Sequence, residues 1–276
     1  MNRVMRFFCG LLSAMVLLTA TVSAANIPAG LSDEEILDLI RTGEGYYLGE
    51  GTPVDEFQVN RWSSGVDGTH QYITSYGFEI LYNDKSNVYS WYSSEGALAT
   101  VVEYSDWPDN HEIISGSGVL RHHFYYVDRG EGSNNYHAGT YFVNHYQDAV
   151  EYYEDGNKTE AFRSLGKALH YLEDGSTPVH VASAMYGANS PISHSTYEST
   201  VNNNLSRFSA SSSNMYNTYT SMALSSIVPN AASYAYSQLP DEPFTTASIL
   251  ASADNAVPRA MKNVAAIMYR FYLDVT

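Results

Sequence analysis

Downstream of Trp62 the apolar positions of this chain fall at helical spacing, and no alternating strand pattern persists. In GTHQYITSYGFEILYND the apolar residues Tyr72, Ile73, Tyr76 and Ile80 are three or four apart. YHAGTYFVNHYQDAVEYYEDGN repeats the spacing through Tyr141, Phe142, His145, Ala149 and Tyr153. TEAFRSLGKALHYLEDGSTP does so through Phe162, Leu165, Leu169 and Leu172. For this last segment Thr159 is the expected N-cap and Gly175 the expected stop, and Pro178 forbids continuation. TASILASADNAVPRAMKNVAAIMYRFYLDV reads as a long helix kinked before Pro258. NNNLSRFSASSSNMYN is polar and reads as a loop or a frayed helix. The pattern predicts an all-α domain over residues 62–276, without internal repeats.

The first 61 residues read differently. MNRVMR supplies Arg3 and Arg6, and FFCGLLSAMVLLTA is an apolar run of about fourteen residues, short for a bilayer span. Val22-Ser23-Ala24 has the small-residue pattern of a signal-peptidase site, so residues 1–25 are expected to be a signal peptide and the protein to be secreted. Cys9, the one cysteine, would leave with it. The exported chain would then hold no disulfide and would need another staple. Residues 26–61 are acidic, with a short amphipathic helix expected in LSDEEILDLIRTG, capped at Ser32 and ended at Gly43. The net charge of −16 argues against a basic nucleic-acid surface, although not against a nuclease whose metals bind the phosphate.

The candidate chemistry lies in two adjacent pieces. HYLEDGSTPVH places His170, Asp174 and His180; HSTYE places His194 and Glu198. Residues four apart on a helix share a face, so His170 with Asp174, and His194 with Glu198, are each positioned to grip an ion. Imidazole with carboxylate suits zinc. One such pair alone is usually a surface ion pair, but two pairs with a third histidine, His180, between them are hard to place on solvated faces. His170 also lies beside the apolar stripe of its helix, where an unpaired charge would be costly.

These two pieces resemble the signature of the bacterial zinc-dependent phospholipases C, whose distant structural cousins are the fungal single-strand-specific nucleases. RHHFYYVD resembles the family's His-Phe-Tyr segment and selects His123 over His122. In EYSDWPDN the family's aspartate corresponds to Asp109, with Asp106 as competitor. WSSGVDGTHQYITSYG resembles the family's mature N-terminus, where cleavage before the tryptophan frees an α-amino group that coordinates zinc. An internal amide nitrogen lacks an available lone pair, whereas a free amine has one. The resemblance therefore implies an acidic propeptide over residues 26–61, an activating protease acting at Arg61-Trp62, and a catalytic domain over residues 62–276.

It further implies a multi-helix domain with a trinuclear zinc cleft, three Zn²⁺ per chain. His123, His170 and Asp109 would hold the first ion, and His180, His194 and Glu198 the second. Trp62 and His70 would hold the third, with Asp174 bridging it to the first and Asp109 serving as the catalytic base. The implied substrate is a phospholipid at a membrane or micelle surface, and a monomer is expected. Two alternatives stand: a single-strand nuclease or nucleotidase using the same cluster, and a non-catalytic secreted zinc-binding protein. The chain departs from the family's choline pocket at Gly65, Asn110 and Leu120, which leaves the headgroup open. The resemblance leaves no residues for the C-terminal membrane-binding domain of the toxin-like members. His111, His122, His137 and His145 read as surface residues or as supports for ligands, and each ligand histidine is expected to have a carboxylate or carbonyl partner.

Overall fold

The computed structural model describes residues 68–112, 121–130, 137–185 and 194–276, except the side chains of Asn110 and Arg121. Trp62, Gly65, Leu120, the signal peptide and the propeptide lie outside these residues. The described chain is helical, in chain order α1 (Thr69–Asp84), α2 (Ser86–Ser94), α3 (Leu98–Tyr104), α4 (Trp107–His111), α5 (Ala138–Glu154), α6 (Lys158–Asp174), α7 (His194–Asn202), α8 (Tyr216–Ser221), α9 (Leu224–Tyr236) and α10 (Thr246–Val275). Short 3-10 turns at Arg121–His123, Pro178–His180, Ser183–Met185 and Leu205–Arg207 complete it. No strand occurs among the described residues.

Helix α6 is the axis of the domain, packing against α1, α3, α4, α5, α9 and α10. Its second half, Ala168 to Asp174, is buried on every side. A helix buried all round must satisfy whatever polar groups it carries. The last three buried polar residues of α6 are His170, Glu173 and Asp174, which marks this end of the helix as chemically unusual. The helix is capped at Asn157, whose side chain accepts from the Glu160 amide; the cap thus lies two residues before the expected Thr159. Asn157 wins because an N-cap must lie outside the helical turn, and Thr159 is already within it. At the other end Ser176 Oγ donates to the Leu172 carbonyl at 2.8 Å and Thr177 Oγ1 to that of Glu173 at 2.9 Å. These hydroxyls satisfy carbonyls that a helix end would otherwise leave bare.

Two glycines set the spacing of the helices around α6. A Cβ on Gly166 would stand 2.7 Å from the Val101 carbonyl oxygen and 2.7 Å from the Tyr104 Cβ, so α3 approaches α6 there at backbone contact. Gly166→Ala should raise intrinsic helix propensity by up to about 1 kcal/mol. The overlap is with backbone that cannot rotate away, so a net loss of about 1–3 kcal/mol is expected in urea unfolding. Gly77 in α1 makes a similar approach to Val264 of α10, at 2.6 Å from its Cγ1.

Helix α10 runs as one element through Pro258, from a capping box at Thr245 and Ser248. The polar stretch after α7 holds the turn Leu205–Arg207 and then no helix before α8. Two backbone bonds tie the segment after His123 to the segment after Pro178. The Tyr125 amide donates to the His180 carbonyl at 3.1 Å and the Val127 amide to the Val181 carbonyl at 2.9 Å. This tie brings His123 and His180 to the same end of α6. No helix of the described residues is long and apolar enough to cross a membrane.

Candidate metal centre

Eight polar side chains from six parts of the chain converge at the C-terminal end of α6. His70 comes from the first turn of α1, Asp109 from α4, His123 from a 3-10 turn, and His170 and Asp174 from α6. His180 comes from the turn begun by Pro178, and His194 and Glu198 from the first turns of α7. All are buried except His194, which is intermediate. These are the site residues expected from the sequence, save Trp62.

Asp174 is at the centre. Its Oδ2 lies 2.8 Å from His123 Nδ1 and 3.1 Å from His170 Nε2; its Oδ1 lies 2.9 Å from His180 Nδ1 and 3.9 Å from His70 Nε2. Asp109 faces the same histidines from the other side. Its Oδ1 is 3.6 Å from His123 Nδ1 and 3.7 Å from His170 Nε2, and its Oδ2 is 3.8 Å from His70 Nε2. At the far edge Glu198 Oε1 is 3.0 Å from His180 Nε2, and Glu198 Oε2 is 3.4 Å from His194 Nδ1.

Among the described residues three groups of side chains have the proximity and the chemistry to hold a metal ion: His70, Asp109 and His170; His123, His170 and Asp174; and His180, His194 and Glu198. Four ligands at zinc distances stand about 3.4 Å apart, so the separations above suit shared ions. The donors are nitrogen and carboxylate oxygen, the zinc set. Among the described residues Asp109 Oδ2 and Glu198 Oε2 are buried and accept no hydrogen bond, an arrangement that is costly for a carboxylate without a cation. The residues fit zinc. The second expected set is found as one group, while Asp109 and Asp174 both border the other two.

The electrostatics follow from burial and proximity. Burial alone would depress the His170 imidazole, yet the Asp174 and Asp109 carboxylates overcome it and raise His170 to about 9. Burial is likewise outweighed at His180, which Asp174 and Glu198 raise to about 10. Burial pushes Glu198 up to about 8. Asp174 resists its own burial and is held well below the usual carboxylate range by His170, His123 and His180. His70 is pushed down by burial and by neighbouring His170. Protons and metal ions compete for these lone pairs, so metal uptake would release protons.

The partners expected for the ligand histidines are now identified for two of them. His170 Nδ1 is 2.8 Å from the Ser105 carbonyl, which turns Nε2 toward the acids. His70 Nδ1 is 2.6 Å from Glu173 Oε2. Sequence reasoning missed both. A backbone carbonyl carries no sequence signal, and Glu173 lies inside the motif but one residue off its metal-facing spacing.

The remaining histidines do not join a metal group among the described residues. His122 is buried against the His123 ring, and burial with that neighbour pushes it down to about 3. His111 stacks on Trp107, and the His137 side chain accepts from the Thr140 amide. His145 lies 3.1 Å from Glu112, which also accepts the Tyr171 hydroxyl at 2.6 Å. Asp106, the competitor of Asp109, is buried and pushed up by that burial and by the Asp109 charge.

Glu112 fastens α4, and with it Asp109, to α6. Although burial would raise it, bonds and charge from His145, Tyr171 and Lys167 lower it to about 2. The ordinary glutamate value is about 4.3. A depressed acid contributes stability above its unfolded value, and that contribution is lost as pH falls toward about 2. Tyr171→Phe should therefore cost about 1.5–3 kcal/mol at pH 7. Urea unfolding of the zinc-free protein should show the difference narrowing at acid pH, so that metal release plays no part.

A family model described as zinc dependent phospholipase C matches residues 69–238, which include all eight converging residues. No curated protein matches the chain. Among solved structures, alpha-toxin from Clostridium perfringens avian strain SWCP is 19% identical with a TM-score of 0.63, over 75% of this chain and 64% of that one. Alpha toxin from Clostridium absonum is 20% identical with a TM-score of 0.62, over 76% and 64%. The chain thus spans less than two thirds of either toxin, and at these identities the likeness shows a shared fold. Because the family match covers more than half of the chain, the protein belongs to the zinc dependent phospholipase C family.

Proposed function

We propose that the protein is a secreted zinc-dependent phosphodiesterase acting as a phospholipase C. It would hydrolyse the glycerol–phosphate bond of a phospholipid to diacylglycerol and a phosphorylated headgroup. The observation that carries this reading is the convergence of eight ligand-type side chains in one buried cluster, inside the family-matched residues.

In this reading His123, His170 and Asp109 would hold one zinc, and His180, His194 and Glu198 a second. His70 would hold a third with the freed N-terminus of Trp62, and Asp174 would serve both the third and the first. Two features support the sharing. His170 Nδ1 is already engaged by the Ser105 carbonyl, so its Nε2 can serve only one ion. His70 is then left with the carboxylates of Asp109 and Asp174, which favours a further donor from outside the described residues. Cleavage at Arg61-Trp62, removing residues 26–61, would supply it.

Bound zinc would polarise the phosphoryl oxygens and acidify a water. Asp109 would orient that water and accept its proton, and Asp174 and Glu198 would keep the ligand histidines in place. The water oxygen bonds to phosphorus, the bond to the glycerol oxygen breaks, and the proton passes to the departing alcohol.

Three substrates tested side by side on zinc-loaded protein check the reading. A chromogenic phosphocholine ester and phospholipid vesicles should be hydrolysed, with diacylglycerol released from the vesicles. Preferred cleavage of single-stranded DNA would make the protein a nuclease. Inactivity toward all three with zinc fully bound would make it a non-catalytic zinc-binding protein.

A further inference from the structure

Glu173 belongs to none of the three metal groups, yet it is wholly buried beside them. On α6 it precedes Asp174, and consecutive helical residues project about 100° apart. Asp174 accordingly faces the cluster, while Glu173 faces α1. There its Oε2 lies 2.6 Å from His70 Nδ1, and its Oε1 accepts from Thr74 Oγ1 at 2.7 Å. Thr74 stands one turn after His70 on α1, so one carboxylate engages two successive turns of that helix.

We propose that Glu173, held by Thr74, is a positioning residue that sets His70 to present Nε2 to a metal ion and so governs the affinity of that one ion. The proposal rests on the zinc reading above. A histidine ligand needs its second nitrogen occupied, because that contact fixes both the tautomer and the direction of the ring. With Nδ1 on Glu173, His70 Nε2 points between Asp109 Oδ2 and Asp174 Oδ1. The cluster treats its histidines unequally. His170 is oriented by a neutral carbonyl, whereas His70 is oriented by an acidic side chain that is itself held by Thr74. A buried carboxylate is an expensive way to fill space, since packing alone would be served better by an apolar or amide side chain.

The test is a zinc titration of the mature protein against a competing chelator, resolving the successive binding steps. Glu173→Gln should weaken one step by ~10–100-fold and leave the others in place. Thr74→Val should weaken the same step by less, and Thr74→Ser should restore it; these variants carry the test if Glu173→Gln does not fold. The melting temperature of zinc-free Glu173→Gln should equal or exceed that of the zinc-free parent. Equal weakening of all steps with a lower zinc-free melting temperature would reduce Glu173 to a packing role and overturn the proposal. Unchanged binding in the variants would also overturn it. A parent protein that binds no zinc would overturn the zinc reading itself, and this proposal with it.

Discussion

Asp109→Asn should reduce turnover by ~10²–10⁴-fold while most of the zinc stays bound. The amide keeps the shape of the side chain and one oxygen facing His123 and His170, so the ring positions around it need not move. What it loses is the capacity to take a proton. Asp109 is suited to that role because it enters the cluster from the five-residue helix α4 rather than from α6. Its Oδ2 is buried and accepts no hydrogen bond among the described residues, whereas both oxygens of Asp174 are close to histidine nitrogens. Turnover and metal content measured on the same sample separate the two properties. Near-parental turnover would move the role to Asp106, which lies buried one turn earlier. Loss of all zinc along with turnover would make Asp109 chiefly a ligand.

Removing the metals should also melt the domain early. The cluster joins α1, α4, α6, α7 and two 3-10 turns, and in the zinc-free chain it packs four carboxylates, including Glu173, against five histidines with little solvent. A ligand present at a thousand times its dissociation constant stabilises by about 4 kcal/mol per site. In a domain of this size each kcal/mol moves the melting temperature by about 2–4 °C. Stripping zinc with a chelator should therefore lower the melting temperature by at least about 8 °C for every site emptied. If the chain is exported as proposed, and Cys9, its one cysteine, leaves with the signal peptide, the metals would be its staple. A melting temperature unchanged by complete removal of metal would refute the staple.

What the sequence made legible was whatever depends on helical spacing. His170 with Asp174, and His194 with Glu198, lie four apart, and the structure puts each pair on one helix face. The apolar stripe through Phe162, Leu165, Leu169 and Leu172 likewise becomes the buried side of α6. His70, Asp109 and His123 are distant in sequence from that motif and carry no local sign of meeting it. They were reached through the family resemblance, and His123 is brought to the motif by the tie between Tyr125 and His180, which no spacing rule contains. Glu173 was overlooked for a related reason. Its spacing points away from the ligands on α6, and its partner His70 is 103 residues away. Glu112 was hidden similarly, because Tyr171, His145 and Lys167 reach it from two other helices. The Asn157 cap differs from the expected Thr159 by two residues, within the reach of the polar run that precedes the helix.

The native intact mass of the protein recovered from the culture medium tests the account most directly, because it reads the metal count and the N-terminus together. The account predicts a chain that begins at Trp62 and carries three zinc ions. A mature chain beginning at Trp62 that binds no zinc, even with the metal supplied in excess, would contradict it.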